Sequence, residues 1–345
     1  MSNYWIFPVF LPNKGCFHRC RFCDQRVVAG GDIPLPAIGD LENLFEKVRF
    51  SEKRGKDTSL IRQIAFYGGN FTGLPREVQR RYLDWASDKV LHGWVHSLRF
   101  STRPDALGDD EIAFLKMYPV RTIEIGVQSM NDKVLQTAER GHTAMESERA
   151  VEKVVSAGWE AGVQLMPGLP GETREGFLAG VKRITRWGVR FARLYPAVVL
   201  KGTRLADDYK EGSYIPLGLE EAVAWCAAAT EMFETEGVEV IRVGLPASDR
   251  LKRAVIAGPY HPAFGFLVQS YRFHRRLETA MRNCHLEKKE IIEIRLSPRS
   301  LPLLMGDRRQ GWERLKARWP GRKITYRLDP AFPVEKVRVA SVSTP

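Results

Sequence analysis

Apolar positions along the chain follow two alternating periods. Short β-branched or aromatic runs occupy residues 5–11, 63–67, 97–101, 122–127, 162–166, 191–195 and 238–243. Between them, amphipathic stretches at 41–50, 76–91, 109–117, 145–157, 174–187 and 219–236 gather apolar residues on one helical face. A strand-then-helix order repeated this often predicts a parallel sheet with crossover helices, barrel-like or doubly wound. Many of the runs end in Gly, Pro or polar residues: Gly68-Gly69-Asn70, Thr102-Arg103-Pro104, Gln128-Ser129, Pro167-Gly168 and Pro196. In a βα barrel those positions form the C-terminal rim, where chemistry is placed.

The pattern changes near the end. Residues 258–269 are rich in Gly, Pro and aromatic side chains and read as a transition. Beyond them, 270–284 reads as a basic helix and 288–296 as a strand. Residues 298–305 and 312–319 read as helical pieces, and 323–328 as a second strand. The expected organisation is α/β: a partial barrel over 1–270, then a small basic α+β appendage over 271–345.

Charge sharpens that division. The whole chain has 53 Lys and Arg against 41 Asp and Glu, a net charge of +12. Residues 271–345 hold 18 of the basic and 8 of the acidic residues, so the barrel part is close to neutral. The appendage is either a solvated basic face or a surface for a polyanion. Mean hydropathy of −0.28 excludes an integral membrane protein, and no window approaches the roughly 20 apolar residues of a membrane-spanning helix. The opening Met1-Ser2-Asn3-Tyr4-Trp5 lacks a charged segment ahead of an apolar one, so no secretion signal is expected. Five cysteines, an odd number, argue against a disulfide framework and for a reducing, cytoplasmic setting.

Three of those cysteines, Cys16, Cys20 and Cys23, lie in a C-x3-C-x2-C run just after the first predicted strand. Thiolates so spaced can serve one metal centre. A structural zinc site takes four ligands, commonly as two C-x2-C pairs, and the second pair is absent. His18 lies inside the loop, where it would compete with its neighbours. An iron–sulfur cluster fits better: three thiolates on a [4Fe–4S] cluster leave one iron open to a bound molecule.

With Phe22 ahead of the last cysteine, this motif resembles that of the radical S-adenosylmethionine (SAM) superfamily. The resemblance implies the barrel fold of that family, a partial (β/α)6-type TIM barrel. It also implies that the open iron binds the amino and carboxylate groups of SAM. The reduced cluster, served by a donor such as ferredoxin or flavodoxin, would then cleave SAM to a 5′-deoxyadenosyl radical that abstracts a substrate hydrogen. Phe66-Tyr67-Gly68-Gly69-Asn70-Phe71-Thr72 resembles the family's Gly-Gly-Glu motif, with Asn70 in place of the acid, so contact with the SAM amino group would use backbone or amide oxygen. Ser101-Thr102-Arg103-Pro104-Asp105, Glu124-Ile125-Gly126-Val127-Gln128-Ser129 and the run from Gln164 to Thr173 resemble the subgroup of the Elongator catalytic subunit. So do Arg193-Leu194-Tyr195-Pro196 and Lys201-Gly202-Thr203. By that resemblance Gln128 is a candidate for the SAM ribose. Arg103 and Lys201 are candidates for its carboxylate, for substrate anions or for rim salt bridges, and Met166 for the adenine or for core. About 75 residues follow the barrel, too few for the acetyltransferase domain of the Elongator subunit.

In the appendage, Gly306-Asp307-Arg308-Arg309-Gln310-Gly311 lies between two helical pieces, like the GXXG clamp of a KH domain but with four residues between the glycines. Arg308, Arg309 and Lys316 are candidate phosphate contacts. Trp312 and Trp319 would either stack on bases or line a core face. Three functions stand open on the sequence: a radical SAM enzyme modifying RNA, most specifically tRNA; the same chemistry on a small anionic metabolite or peptide; and a metal-stabilised RNA-binding protein without redox chemistry.

Overall fold

The computed structural model describes residues 4–11, 15–23, 34–51, 60–284 and 291–342. The chain divides into two units, Met1–Pro262 and Ala263–Pro345. The division falls inside the 258–269 transition, ahead of the expected 270/271 boundary. The reason is the helix Phe264–Asn283, which starts there and buries Phe273, Leu277 and Met281 in the second unit's core.

In chain order the first unit runs β1 (Tyr4–Phe10), α1 (Ile38–Ser51), β2 (Ile61–Tyr67), α2 (Arg76–Leu91), β3 (Ser97–Thr102), α3 (Asp109–Leu115) and β4 (Val120–Gln128). It continues with α4 (Asp132–Thr137), α5 (Ala144–Ser156), β5 (Glu160–Leu165), α6 (Arg174–Ile184), β6 (Phe191–Leu194), β7 (Val199–Leu200) and α7 (Arg204–Lys210). Then come α8 (Leu219–Thr235), β8 (Glu239–Val243), α9 (Asp249–Ala254) and β9 (Val255–Ala257). Seven strands form one parallel sheet in the order β1-β2-β3-β4-β5-β6-β8. Because β1 and β8 do not pair, it is an open, partial barrel of the expected α/β kind. The seven predicted strands and six predicted helices are all present. A two-stranded antiparallel ribbon, β7 with β9, is an addition.

Alternation along each strand separates the two faces. Ile64, Phe66, Leu98, Phe100, Ile123, Ile125, Val163 and Leu165 are buried. Phe66 meets Tyr82 of α2 at 5.9 Å between ring centroids, so this set faces the helices. Fully burying such side chains stabilises the sheet by about 1.5–3 kcal/mol each. The opposite face carries Gln63, Ser97, Arg99, Thr122, Glu124 and Gln164, and the strand register sets these residues beside one another. Gln63 Nε2 donates to Ser97 and Thr122 at 3.0 Å each. Glu124, with no exposed surface, accepts from Arg99 Nε at 2.7 Å, Arg193 Nη2 at 3.1 Å and Gln164 Nε2 at 3.0 Å. Inside the barrel the strands are therefore joined by a polar band. Helix starts are set locally: Thr143 and Glu146 form a reciprocal capping box at α5. Cys226 is fully buried within α8, a core residue.

The second unit is α10 (Phe264–Asn283), β10 (Ile291–Leu296), α11 (Leu301–Met305), α12 (Gln310–Arg318), β11 (Ile324–Leu328) and β12 (Val337–Val342). Its sheet runs β11-β10-β12, with β10 parallel to β11 and antiparallel to β12. Trp312 is buried in the core with Leu315 and Ile294, and Trp319 packs against that core. Trp312 lies on the core face of α12, and Trp319, just past the end of that helix, packs on the same core rather than standing free to stack on bases. Between α11 and α12, Arg308 and Arg309 both adopt left-handed backbone, with φ of 47° and 65°. A Cβ on Gly306 would lie 2.8 Å from the Gly311 nitrogen, so the two glycines let the backbone of this loop close on itself. Arg308, Arg309 and Lys316 are exposed, and Lys316 pairs with Glu313 at 2.7 Å. Among the described residues, no helix is long and apolar enough to cross a membrane.

Candidate active site

The cysteine loop is held at both ends. At its start the Gly15 carbonyl accepts a hydrogen bond from Asn70 Nδ2 at 2.7 Å. A side chain on Gly73 would collide with that carbonyl, so two backbones meet there directly. At the other end the Arg21 N–H donates to the Ala138 carbonyl at 3.0 Å, and the Leu205 N–H donates to the Arg21 carbonyl at 2.9 Å. The Arg21 guanidinium bridges Asp208 at 2.6 Å and Glu139 at 3.1 Å. Between these anchors the Cys23 N–H closes a turn on the Cys20 carbonyl at 3.0 Å. Cys20 is buried, Cys23 half-buried and Cys16 exposed.

Two guanidinium groups surround the buried sulfur. Arg140 Nη1 donates to Cys20 Sγ at 3.1 Å, while its Nη2 donates to the Gly126 carbonyl at 2.7 Å. Arg103 Nη1 stands 3.9 Å from the same sulfur. A [4Fe–4S] cluster takes one thiolate per iron, and three soft sulfur donors on one short loop suit it. The donor chemistry of Cys16, Cys20 and Cys23 therefore fits an iron–sulfur cluster.

Most of the sequence-derived candidates meet at this end of the barrel. Asn70 is buried; its Oδ1 accepts from Thr102 Oγ1 at 2.7 Å and from the Arg103 N–H at 3.1 Å. Both lone pairs of that oxygen are thus in use, which leaves the backbone of Gly68 and Gly69 as the open part of the motif. Gly68 is exposed with φ of 93°. Arg103 is buried, and its Nε and Nη2 grip Asp105 at 2.8 Å each, with a further bond from Nη2 to the Arg140 carbonyl. Gln128 ends β4 in left-handed backbone, φ 66°, and its carbonyl accepts from the Met166 N–H at 2.9 Å. Met166 packs with Val134, Leu169 and Ala197 and with Phe22 of the cysteine loop. Lys201 is tied to the β7–β9 ribbon instead: its N–H donates to the Ala254 carbonyl at 2.8 Å and its side chain is exposed.

Arg140 escaped the sequence reading because no motif marks it. Its place was the available signal, since it follows the short helix α4 and so returns to the rim where β4 ends. Asn70 yields a direct prediction. Asn70→Asp keeps the acceptor for Thr102 but sets a carboxylate against the Gly15 carbonyl. The variant should fold normally yet bind iron about tenfold more weakly on reconstitution. Unchanged iron binding would show that the Gly15 contact does not hold the loop.

His142 lies buried under the rim, with Nε2 3.3 Å from the Val127 carbonyl. Burial, and then the charge of Arg140, lower its pKa from 6.5 to about 4. The unfolded chain takes the proton first, so the stability tied to the neutral ring is complete above pH 6.5 and is lost as pH falls to about 4. The expected loss is about 3 kcal/mol, and urea titrations at pH 7 and pH 4 should show it in the wild type but not in His142→Asn.

Comparison with known proteins agrees with this geometry. Residues 10–184 match the model of the radical SAM superfamily, and 189–272 match the radical SAM C-terminal domain. A tRNA uridine(34) acetyltransferase of Methanocaldococcus jannaschii is 32% identical over 264 residues, covering 65% of this chain and 48% of that protein. Its counterpart from Dehalococcoides mccartyi is 35% identical over 216 residues, covering 60% of this chain and 46% of that one. The chain thus spans about half the length of these curated relatives. The structure of archaeal Methanocaldococcus infernus Elp3 aligns with a TM-score of 0.57 at 22% identity, covering 79% of this chain and 63% of that one, which shows the shared fold. The superfamily match takes in the cysteine loop, the Gly68-Gly69 turn and strands β2 to β5, and on that ground the chain belongs to the radical SAM superfamily.

Proposed function

We propose that this protein is a radical SAM enzyme that abstracts a hydrogen atom from RNA, with tRNA as the substrate class. The observation that carries the chemistry is the buried Cys20 sulfur between Arg140 and Arg103, on a loop anchored at both ends. Cys16, Cys20 and Cys23 would hold the [4Fe–4S] cluster. When bound and reduced, that group supplies one electron to SAM, whose S–C5′ bond breaks to give methionine and a 5′-deoxyadenosyl radical that takes the substrate hydrogen.

The chain's own residues prepare the place. Asn70 fixes the start of the loop, and Arg21 fixes its end. The Gly68-Gly69 turn, Gln128 and Met166 stand at the ends of β2, β4 and β5 and would contact the SAM methionine, ribose and adenine respectively. Arg103 and Arg140 offset the charge of the ligating thiolates. Phe22, Met166 and Leu169 form an apolar cluster that keeps water from one side of the loop.

The RNA substrate is supported by the tRNA-acting relatives and by the basic second unit, where exposed Arg308 and Arg309 project from the α11–α12 loop. The test is turnover of the reduced, cluster-loaded protein. Bulk tRNA should bind at low salt and raise 5′-deoxyadenosine formation. Absence of both effects, with turnover raised by a small anionic metabolite or peptide instead, would overturn the RNA reading.

A further inference from the structure

The sheet of the second unit has one face free of its core. Ile292, Ile294 and Leu296 of β10 point into that core, against residues of α10, α11 and α12. Strand alternation therefore turns Glu293 and Arg295 to the other side. Register then sets Arg295 opposite Arg327 in parallel β11 and opposite Arg338 in antiparallel β12. Cross-strand partners share a face. Three arginines thus stand side by side across the sheet, about 4.8 Å from strand to strand. Arg327 and Arg338 are exposed, and the Arg295 side chain is 46% exposed.

Like charges directly opposite one another destabilise a sheet, so folding alone gives no reason for the row. Two carboxylates lie near it. Asp329 Oδ2 accepts from Arg295 Nε at 2.8 Å, and its Oδ1 accepts from the Ala331 N–H at 2.9 Å. Glu293 sits one pleat away, opposite Thr325 and Ala340 rather than opposite an arginine. Phe332 lies 5.8 Å from the Arg295 guanidinium and helps to fix it. The middle of the row is held in place, while among the described residues the outer two arginines make no close ion pair, the charge of Asp329 reaching Arg327 from farther away.

We propose that this open face binds the phosphate backbone of RNA, with Arg327, Arg295 and Arg338 presenting neighbouring guanidinium forks to phosphate oxygens. The site is separate from the Arg308–Arg309 loop, which joins helices packed on the other side of the sheet. It rests on the RNA reading above and adds a second contact surface to it.

The test is tRNA binding by the full chain across a range of salt concentrations. For Arg327→Gln with Arg338→Gln, the slope of log affinity against log salt should fall by about 1.4 to 2, and affinity near 0.1 M salt by about ten- to a hundredfold. Removing two exposed lysines of the first unit, Lys116→Gln with Lys182→Gln, should leave both unchanged. The arginine variant should melt no lower than the wild type, because it relieves repulsion. If it fails to fold, Arg338→Gln alone on edge strand β12 should lower the slope by about 0.7 to 0.9. A slope equal to that of the wild type would overturn this face while leaving the RNA reading intact. Absence of tRNA binding by the wild type would overturn both. Displacement of tRNA by polyglutamate of equal charge would assign the face to an acidic protein and also overturn the proposal.

Discussion

Cys20→Ala should reduce SAM cleavage to background and strip iron from the reconstituted protein. Of the three clustered cysteines, Cys20 is the buried one, and its sulfur accepts from Arg140 Nη1 with Arg103 Nη1 beside it. Its replacement removes a thiolate and leaves Arg140 Nη1 and Arg103 Nη1 facing an apolar methyl group. A cluster on the two remaining cysteines would lack half of the usual four-thiolate complement. The fold should survive, because the loop is anchored through Gly15 and Arg21 rather than through the sulfur. Cys284→Ser supplies the control: its sulfur lies in the second unit, 3.9 Å from the Val339 carbonyl. Iron content, near-ultraviolet and visible absorbance and 5′-deoxyadenosine yield should fall together in Cys20→Ala and stay unchanged in Cys284→Ser.

Glu124→Ala should destabilise the barrel by about 3–5 kcal/mol, the usual result of removing one partner from a buried ion pair. Glu124 is the one carboxylate between Arg99 and Arg193, and its loss leaves both charges inside the sheet. Arg99 Nη2 already lacks a hydrogen-bond partner, so little spare capacity remains to absorb the change. Glu124→Gln keeps the shape but not the charge and should fall between the two. The pH dependence has a definite sign. Burial alone would raise the Glu124 carboxyl, but Arg99 and Arg193 outweigh it and hold the group below its ordinary 4.5. Its contribution is therefore full above pH 4.5 and lost as pH falls through the folded value. The gap between wild type and Glu124→Ala, measured by urea unfolding, should be widest near pH 7 and shrink in acid. Equal stability at pH 7 would show that water, not the carboxylate, answers the two arginines.

The barrel was legible because its strands and helices each follow one clean period. β7, β9, α4, α7 and α9 were not, since strands of two or three residues and helices of six or seven carry too few positions to show a period. β12 was missed for another reason: Val337 and Val339 are only two alternating apolar positions, and pairing with β10 is what makes 337–342 a strand. The cysteine motif was readable because metal binding fixes residue type and spacing. The polar band around Glu124 was not, because its members lie 25 to 69 residues apart in sequence and meet only through register. Arg140 and the arginine row on β10, β11 and β12 share that cause. Trp312 and Trp319 had two readings of equal standing on a helix, and burial decided between them.

The most direct measurement is anaerobic reconstitution with iron and sulfide, followed by dithionite reduction and addition of SAM, with and without bulk tRNA. The predicted result is about four irons per chain, formation of 5′-deoxyadenosine and methionine, and a further rise with tRNA. Full iron loading with no 5′-deoxyadenosine under any condition would contradict a radical SAM reaction in this protein.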